Sequence, residues 1–142
     1  MPNAEPMVLD THVWLDLAAG RGRVLPRVMR RLNRAGAGGV LYVAAITPWE
    51  VAMLARAGKL RVAGPLLEWL VGALQGTRTA VAPLEPAIAV DAVDLPAWQH
   101  GDPADRLIVA TARHLGGTLV TRDTAILVYA DQVKAVRAIE PG

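Results

Sequence analysis

Four acidic residues carry the chemistry this sequence can do: Asp10, Glu50, Asp105 and Asp123. They lie far apart in the chain, yet each ends an apolar run or stands in the opening turn of a helix-forming segment. Asp10 closes MVLD, Glu50 closes LYVAAITPWE, Asp105 lies in DPADRLIVATA and Asp123 closes GTLVTRD. Carboxylates gathered in one pocket raise one another's pKa values unless a cation compensates them. Oxygen-only donors select a hard divalent ion, Mg2+ or Mn2+, which keeps waters that substrate phosphates can displace. One such ion, or a pair ~3.5–4 Å apart, activates water and neutralises charge developing on a phosphodiester.

Each acid also has a plainer role. Glu50 is three residues after Thr47, so the two fit a capping box, with Thr47 as N-cap and Pro48 at the first helical position. Asp105 suits a helix N-terminus through the dipole, and Asp123, just before Thr124, suits an N-cap or turn. Asp10 is harder to explain in this way, because a charge directly at the end of an apolar strand is costly unless something answers it.

The elements that must position these acids are legible from periodicity. Short apolar runs predict strands at Met7–Asp10, Leu41–Ala45, Thr79–Ala82, Thr118–Thr121 and Val133–Ala138. Between them, Arg23–Ala35 sets Leu25, Val28, Met29 and Leu32 opposite Arg27, Arg30, Arg31 and Arg34, the spacing of an amphipathic helix that Gly36, Gly38 and Gly39 end. Thr47 opens a second helix that Gly58 closes, and Asp102-Pro103 opens another before the paired glycines 116 and 117. Helices over Gly64–Leu74 and Pro86–Val93 complete the set, and Leu95–Gly101 reads as a loop.

Alternating strands and helices predict an α/β fold, a mainly parallel sheet covered on both faces. In such sheets, ligands collect beyond the carboxyl ends of strands, next to the N-termini of the following helices. Asp10 and Asp123 fall there directly, and the helices carrying Glu50 and Asp105 begin at the same edge.

Composition bounds the rest. The chain has 142 residues, the length of one ordinary domain, with 53% hydrophobic and 20% charged residues and no cysteine. Disulfides and thiolate metal sites are excluded, which fits a reducing cytoplasm. The N-terminal MPNAEPM carries no export pattern, and the apolar runs are too short or too interrupted to cross a membrane. A pI near 9.5 with an arginine-dominated basic set suits a polyanionic partner.

The ordered segments VLDTHVWL, ITPWEVAMLARAGKL, HGDPADRLIVATAR and LVTRD resemble the successive signatures of PIN-domain ribonucleases of the VapC toxin type. The resemblance runs from Val8 to about Asp123. It implies a PIN-like three-layer α/β/α sandwich of about five strands, with Asp10, Glu50, Asp105 and Asp123 as the catalytic and metal-binding acids. Thr121 matches a position that often holds a hydroxyl residue, and Val109 stands where alanine is usual. The same resemblance implies a Mg2+- or Mn2+-dependent endoribonuclease toxin that cuts RNA, is held inactive by a cognate VapB-type antitoxin, and commonly forms a homodimer.

Around the acids, Thr11 is a second hydroxyl, Asp102 an N-cap that can also lie behind the metal, and Arg106 and Arg122 adjoin proposed ligands and suit RNA contact or charge pairing. His12, His100 and His114 are weaker candidates for proton transfer. Trp49, Met53, Leu54, Leu66, Leu67, Trp69 and Leu70 offer enough apolar surface for a dimer or antitoxin interface. A receiver-like phosphoacceptor domain also gathers acids at strand ends, but Asp10 lacks an acidic neighbour and Lys134 falls inside the expected last strand. A catalytically inactive PIN-fold binding module is the third reading, and the intact quartet argues against it.

Overall fold

Five short strands among the described residues pair in parallel in the order β3-β2-β1-β4-β5. They are β1 (Met7–Leu9), β2 (Leu41–Ala44), β3 (Ala80–Ala82), β4 (Thr118–Val120) and β5 (Arg137–Ile139). The helices are α1 (Thr11–Ala18), α2 (Pro26–Ala37), α3 (Thr47–Arg56), α4 (Leu66–Gly76), α5 (Pro86–Val93), α6 (Pro103–Leu115) and α7 (Thr124–Val133). This computed structural model describes residues 4–142. The first three residues of MPNAEPM, part of the segment read for an export signal, lie outside the described residues.

Side chains alternate across the pleat, which is why such short strands suffice to make two cores. Met7 and Leu9 join Leu41, Val43 and Val120 on one face, beneath Trp14 of α1, Leu32 of α2, Val51 of α3 and Leu70 of α4. Val8 joins Ala44 and Leu119 on the other, beneath Ile88 of α5, Ile108 of α6 and Ile126 of α7. With both faces covered, the central strand β1 is wholly buried, as parallel sheets require. Trp14 is fully buried, donates its indole N–H to Thr77 Oγ1 at 3.1 Å and meets Trp69 edge-on with ring centroids 6.0 Å apart. Among the described residues, no helix is long and apolar enough to cross a membrane.

The chain runs outward from β1 through β2 to β3, then crosses to the other side of β1 for β4 and β5. The switch in strand order therefore falls between β1 and β4, which pair in the register Leu9↔Val120. A crevice opens at the carboxyl edge of such a switch because the two flanking connections leave in opposite directions.

Several expected boundaries move. The strand expected over Val133–Ala138 begins instead at Arg137, because α7 buries Ile126 and Tyr129 at helical spacing and runs on to Val133. Lys134 is the left-handed residue that stops the helix (φ 60°) and lies outside any strand. The helix expected from Arg23 starts at Pro26, whose fixed φ suits the first turn, and includes Gly36. Thr47 is the first residue of α3 rather than its cap: the cap position is Ile46, and no side chain caps it. The loop Leu95–Gly101 is present and pinned. Tyr129 donates to Pro96 O at 2.7 Å, Trp98 donates to His100 O at 2.8 Å, and the Trp98 ring packs edge-on against both Tyr129 and His100.

Candidate active site

Asp10 leaves β1 and caps α1, placing its carboxylate at the switch point. Its Oδ1 accepts from Thr11 N at 2.8 Å and its Oδ2 from Thr121 Oγ1 at 2.6 Å. Burial pushes the Asp10 carboxyl up from its ordinary pKa, while these two bonds, and more weakly the His12 ring, hold it down. The backbone repeats the tie, with Asp10 N donating to Val120 O at 2.9 Å.

Glu50 stands in the first turn of α3, but its carboxylate does not return to Thr47 as a capping box would require. Glu50 Oε1 accepts from Thr11 Oγ1 at 2.6 Å. Thr11 has one hydroxyl proton, so in its 2.9 Å contact with Thr47 Oγ1 the donor is Thr47. The buried threonine pair thus hands one hydrogen bond from α3 through α1 to Glu50. Burial raises the Glu50 carboxyl, the Thr11 bond lowers it, and Asp10 and Asp102 raise it again.

Asp123 caps α7, its Oδ1 accepting from Ala125 N at 2.9 Å and Ile126 N at 3.3 Å. Its own N–H donates to Thr121 Oγ1 at 3.0 Å, so Thr121 joins Asp10 and Asp123 by opposite faces of one hydroxyl. Asp102 caps α6 through Ala104 N at 2.9 Å. Asp105, one turn on, is pushed up to about 7 by burial first, then by Asp102, Asp10, Asp123 and Glu50, with no hydrogen bond or cation to offset them.

The other three expected acids therefore all act on Asp105, and Asp102 is a fifth member of the group. Its signal was present in the sequence, since Asp102 and Asp105 are three apart at a helix start and share one side of the first turn. The five are neighbours rather than a closed cage: among the described residues, no group of three or more His, Cys, Asp or Glu side chains converges at metal-binding spacing. In kind the donors fit a hard divalent cation, being all oxygen, and the unrelieved repulsion at Asp105 is what such a cation would answer.

The two expected arginines turn away from the acids. Arg106 reaches the carbonyls of Ala92 and Val93 at 3.5 and 3.3 Å. Arg122 donates to Asp16 Oδ2 at 3.0 Å and to Arg23 O at 2.9 Å. Asp16, which pattern reading overlooked, is an unremarkable helical aspartate until the fold brings Arg122 to it. His114 pairs with Glu85 at 3.0 Å at the opposite end of α6 from Asp105, and His100 packs on Trp98.

A PIN-domain family model matches residues 7–132, a span that contains every one of these acids. The chain belongs to the PIN-domain family. Within it, the chain is 38% identical over 117 residues to Ribonuclease VapC22 of Mycobacterium tuberculosis (strain ATCC 25618 / H37Rv), covering 82% of this chain and 86% of that protein. That places it among VapC-type PIN domains and sets the receiver-like reading aside. Solved structures agree in fold: VapBC2 from Rickettsia felis bound to a DNA fragment from its promoter (TM-score 0.66, 14% identity, 94% of this chain and 97% of that one). FitAcB from Neisseria gonorrhoeae superposes with a TM-score of 0.58 at 24% identity, covering 95% and 97% of the two chains. This PIN domain thus carries the three-layer α/β/α sandwich around a five-stranded parallel sheet that its sequence led us to expect.

Beside Glu50, the PIN domain opens a cavity of about 290 Å³ lined by Thr11, His12, Trp49, Met53 and Leu54. Trp49 is 58% exposed and Leu67 71%, whereas Leu70 packs into the core and Trp69 lies against it. Part of the apolar surface expected to face a partner therefore does face outward, and part is internal.

Proposed function

We propose that this chain is a VapC-type toxin, a divalent-metal-dependent endoribonuclease that hydrolyses RNA phosphodiester bonds at the acidic crevice. The single observation that carries the proposal is Asp105, a half-buried carboxyl raised to about 7 first by burial and then by the four acids around it, at the switch point of a PIN fold. Asp10, Glu50, Asp105 and Asp123 hold Mg2+ or Mn2+, with Asp102 behind them. When bound, the cation supplies an activated water and neutralises charge on the scissile phosphate.

The chain's own part is positioning. Thr121 fixes the Asp10 carboxylate, the amides of Ala125 and Ile126 fix that of Asp123, and the Thr47–Thr11 relay fixes Glu50, so the donors are oriented before substrate arrives. The outward apolar side chains Trp49 and Met53 of α3, beside Glu50, and Leu67 and Val71 of α4 support a VapB-type antitoxin segment or a second copy as the covering partner. A cytoplasmic setting follows from an RNA substrate and a cysteine-free chain.

Purified protein is expected to cut single-stranded RNA only when Mg2+ or Mn2+ is added, and Asp10→Asn to reduce the rate by at least a hundredfold while keeping the fold by circular dichroism. A rate unchanged in that variant would refute the assignment, and metal binding without any cleavage would favour an inactive binding module.

A further inference from the structure

The loop joining α1 to α2 is tied down at several points, two of them through Arg122, the residue before Asp123. Arg122, which lies between Thr121 and Asp123 in sequence, reaches across to Asp16 of α1, just before the loop, and to the Arg23 carbonyl near the loop's end. Arg21 N donates to Asp16 O at 2.9 Å, and Leu25 N donates to Pro141 O at 2.7 Å. Between them the backbone passes Gly22 at φ +82°, where a Cβ would come within 3.0 Å of Asp16 Oδ2 and 3.2 Å of an Arg122 nitrogen. Glycine is needed there both for its left-handed backbone and for the close passage over the ion pair.

This held loop presents two cations to solvent. The Arg21 side chain is 65% exposed, with its Nε a loose 3.4 Å from Asp16 Oδ1. Arg23 is exposed and enters no ion pair among the described residues. Arg21 and Arg122 thus share the one carboxylate of Asp16 while the Arg23 guanidinium is left over, so the loop and the residue before Asp123 carry an excess of positive charge. From the loop's end, Arg27, Arg30 and Arg34 continue along the exposed side of α2 at three- and four-residue spacing, whereas Arg31 is occupied by Glu5 at 2.8 Å.

We propose that this loop is the phosphate-holding arm of the substrate path: Arg21 and Arg23, on a loop held by Arg122, which precedes Asp123 in the chain, bind RNA phosphates flanking the bond to be cut, and α2 extends the track. The inference rests on the ribonuclease reading above. A crevice of five carboxylates repels a polyanion, so affinity must come from cations next to it, and guanidinium groups on an anchored loop bind phosphate with little left to order. An acidic segment of a partner protein is the competing occupant, but the arm's contiguity with Asp123 favours the strand whose phosphate enters that crevice.

The test uses the full chain in EDTA, so that RNA is bound and not cut, with fluorescence anisotropy of a labelled single-stranded RNA across a salt series. Arg21→Gln/Arg23→Gln is expected to weaken binding about tenfold or more and to lower the slope of log affinity against log salt by about 1.4, or ~0.7 for each lost contact. Mn2+ affinity by calorimetry should be unchanged, and Lys134→Glu, the same loss of two units of charge but at the amino end of β5, should bind RNA normally. Wild-type RNA affinity and slope in the double variant would overturn the proposal, as would a loss confined to antitoxin binding. Wild-type protein that binds RNA through this arm yet cuts none with Mn2+ would instead sink the ribonuclease reading and leave the arm standing.

Discussion

Thr121 donates its hydroxyl to Asp10 Oδ2 at 2.6 Å, joining the end of β4 to the end of β1 across 111 positions of sequence. The same oxygen receives the Asp123 backbone N–H, so one small side chain orients the Asp10 carboxylate and ties down the backbone that carries Asp123. Both strand ends are fixed by the β1–β4 register, and the hydroxyl can reach both partners only because Val120 faces Leu9.

Removing that hydroxyl should cost both function and stability. A hydrogen bond to a charged group contributes about 1.5–3 kcal/mol. Thr121→Val keeps the shape, and we expect RNA cleavage at neutral pH to fall by roughly ten- to a hundredfold. Thr121→Ser should retain the wild-type rate to within about threefold. Equal rates for the valine and serine variants in a gel-based cleavage assay would show that the hydroxyl orients nothing.

Asp105 should leave a signature in stability against pH. Its folded pKa of about 7 lies above the ordinary 3.8, so the folded protein holds this proton more tightly than the unfolded chain does. The resulting stabilisation is complete below about pH 3.8 and lost as pH rises through 7. In metal-free buffer, Asp105→Asn should therefore gain Tm relative to the wild type between pH 5 and pH 8, read by scanning fluorimetry. Saturating Mn2+ should raise the wild-type Tm more at pH 8 than at pH 5.5, since only the ionised carboxylate binds metal. Parallel Tm curves for the two proteins would contradict the assigned shift.

Gly117 and Gly116 separate two reasons for glycine at one helix-to-strand turn. Gly116 is left-handed at φ +63° with open space around its missing Cβ, so Gly116→Ala should cost only about 1–2 kcal/mol of backbone strain. At Gly117 a Cβ would lie 2.6 Å from the Pro6 carbonyl oxygen, and that oxygen accepts the Thr118 N–H where β4 joins β1. Gly117→Ala must part these strands, and we expect the larger loss, above about 2 kcal/mol, in urea denaturation. A smaller loss than that of Gly116→Ala would mean the strands can shift at little cost.

Much of this was legible without coordinates. The alternation of short apolar runs with capped helices gave a parallel sheet buried on both faces, and the acids could be assigned to one edge because strands in a parallel sheet all point the same way. Reading failed where one segment satisfied two grammars. VKAVRAI looks like a strand from its first residue, but the last turn of α7 claims Val133 and a left-handed Lys134 resets the chain. Thr47-Pro48-Trp49-Glu50 spells a capping box, but Thr47 is buried against Thr11 and spends its hydroxyl there. Asp16 gave no local sign, because its partner is 106 positions away.

The sequence by itself determined which residue types stand at strand ends and helix starts, since those positions are set by local periodicity and capping chemistry. It therefore named Asp10, Glu50, Asp105 and Asp123 and the family to which they belong. Only the tertiary structure decided who answers each carboxylate: Thr121 for Asp10, Thr11 for Glu50, the helix amides for Asp123, and for Asp105 only four other acids. Hydrogen bonds and burial depend on distances across the sheet switch point, and those distances follow from strand order and register, which no local pattern specifies.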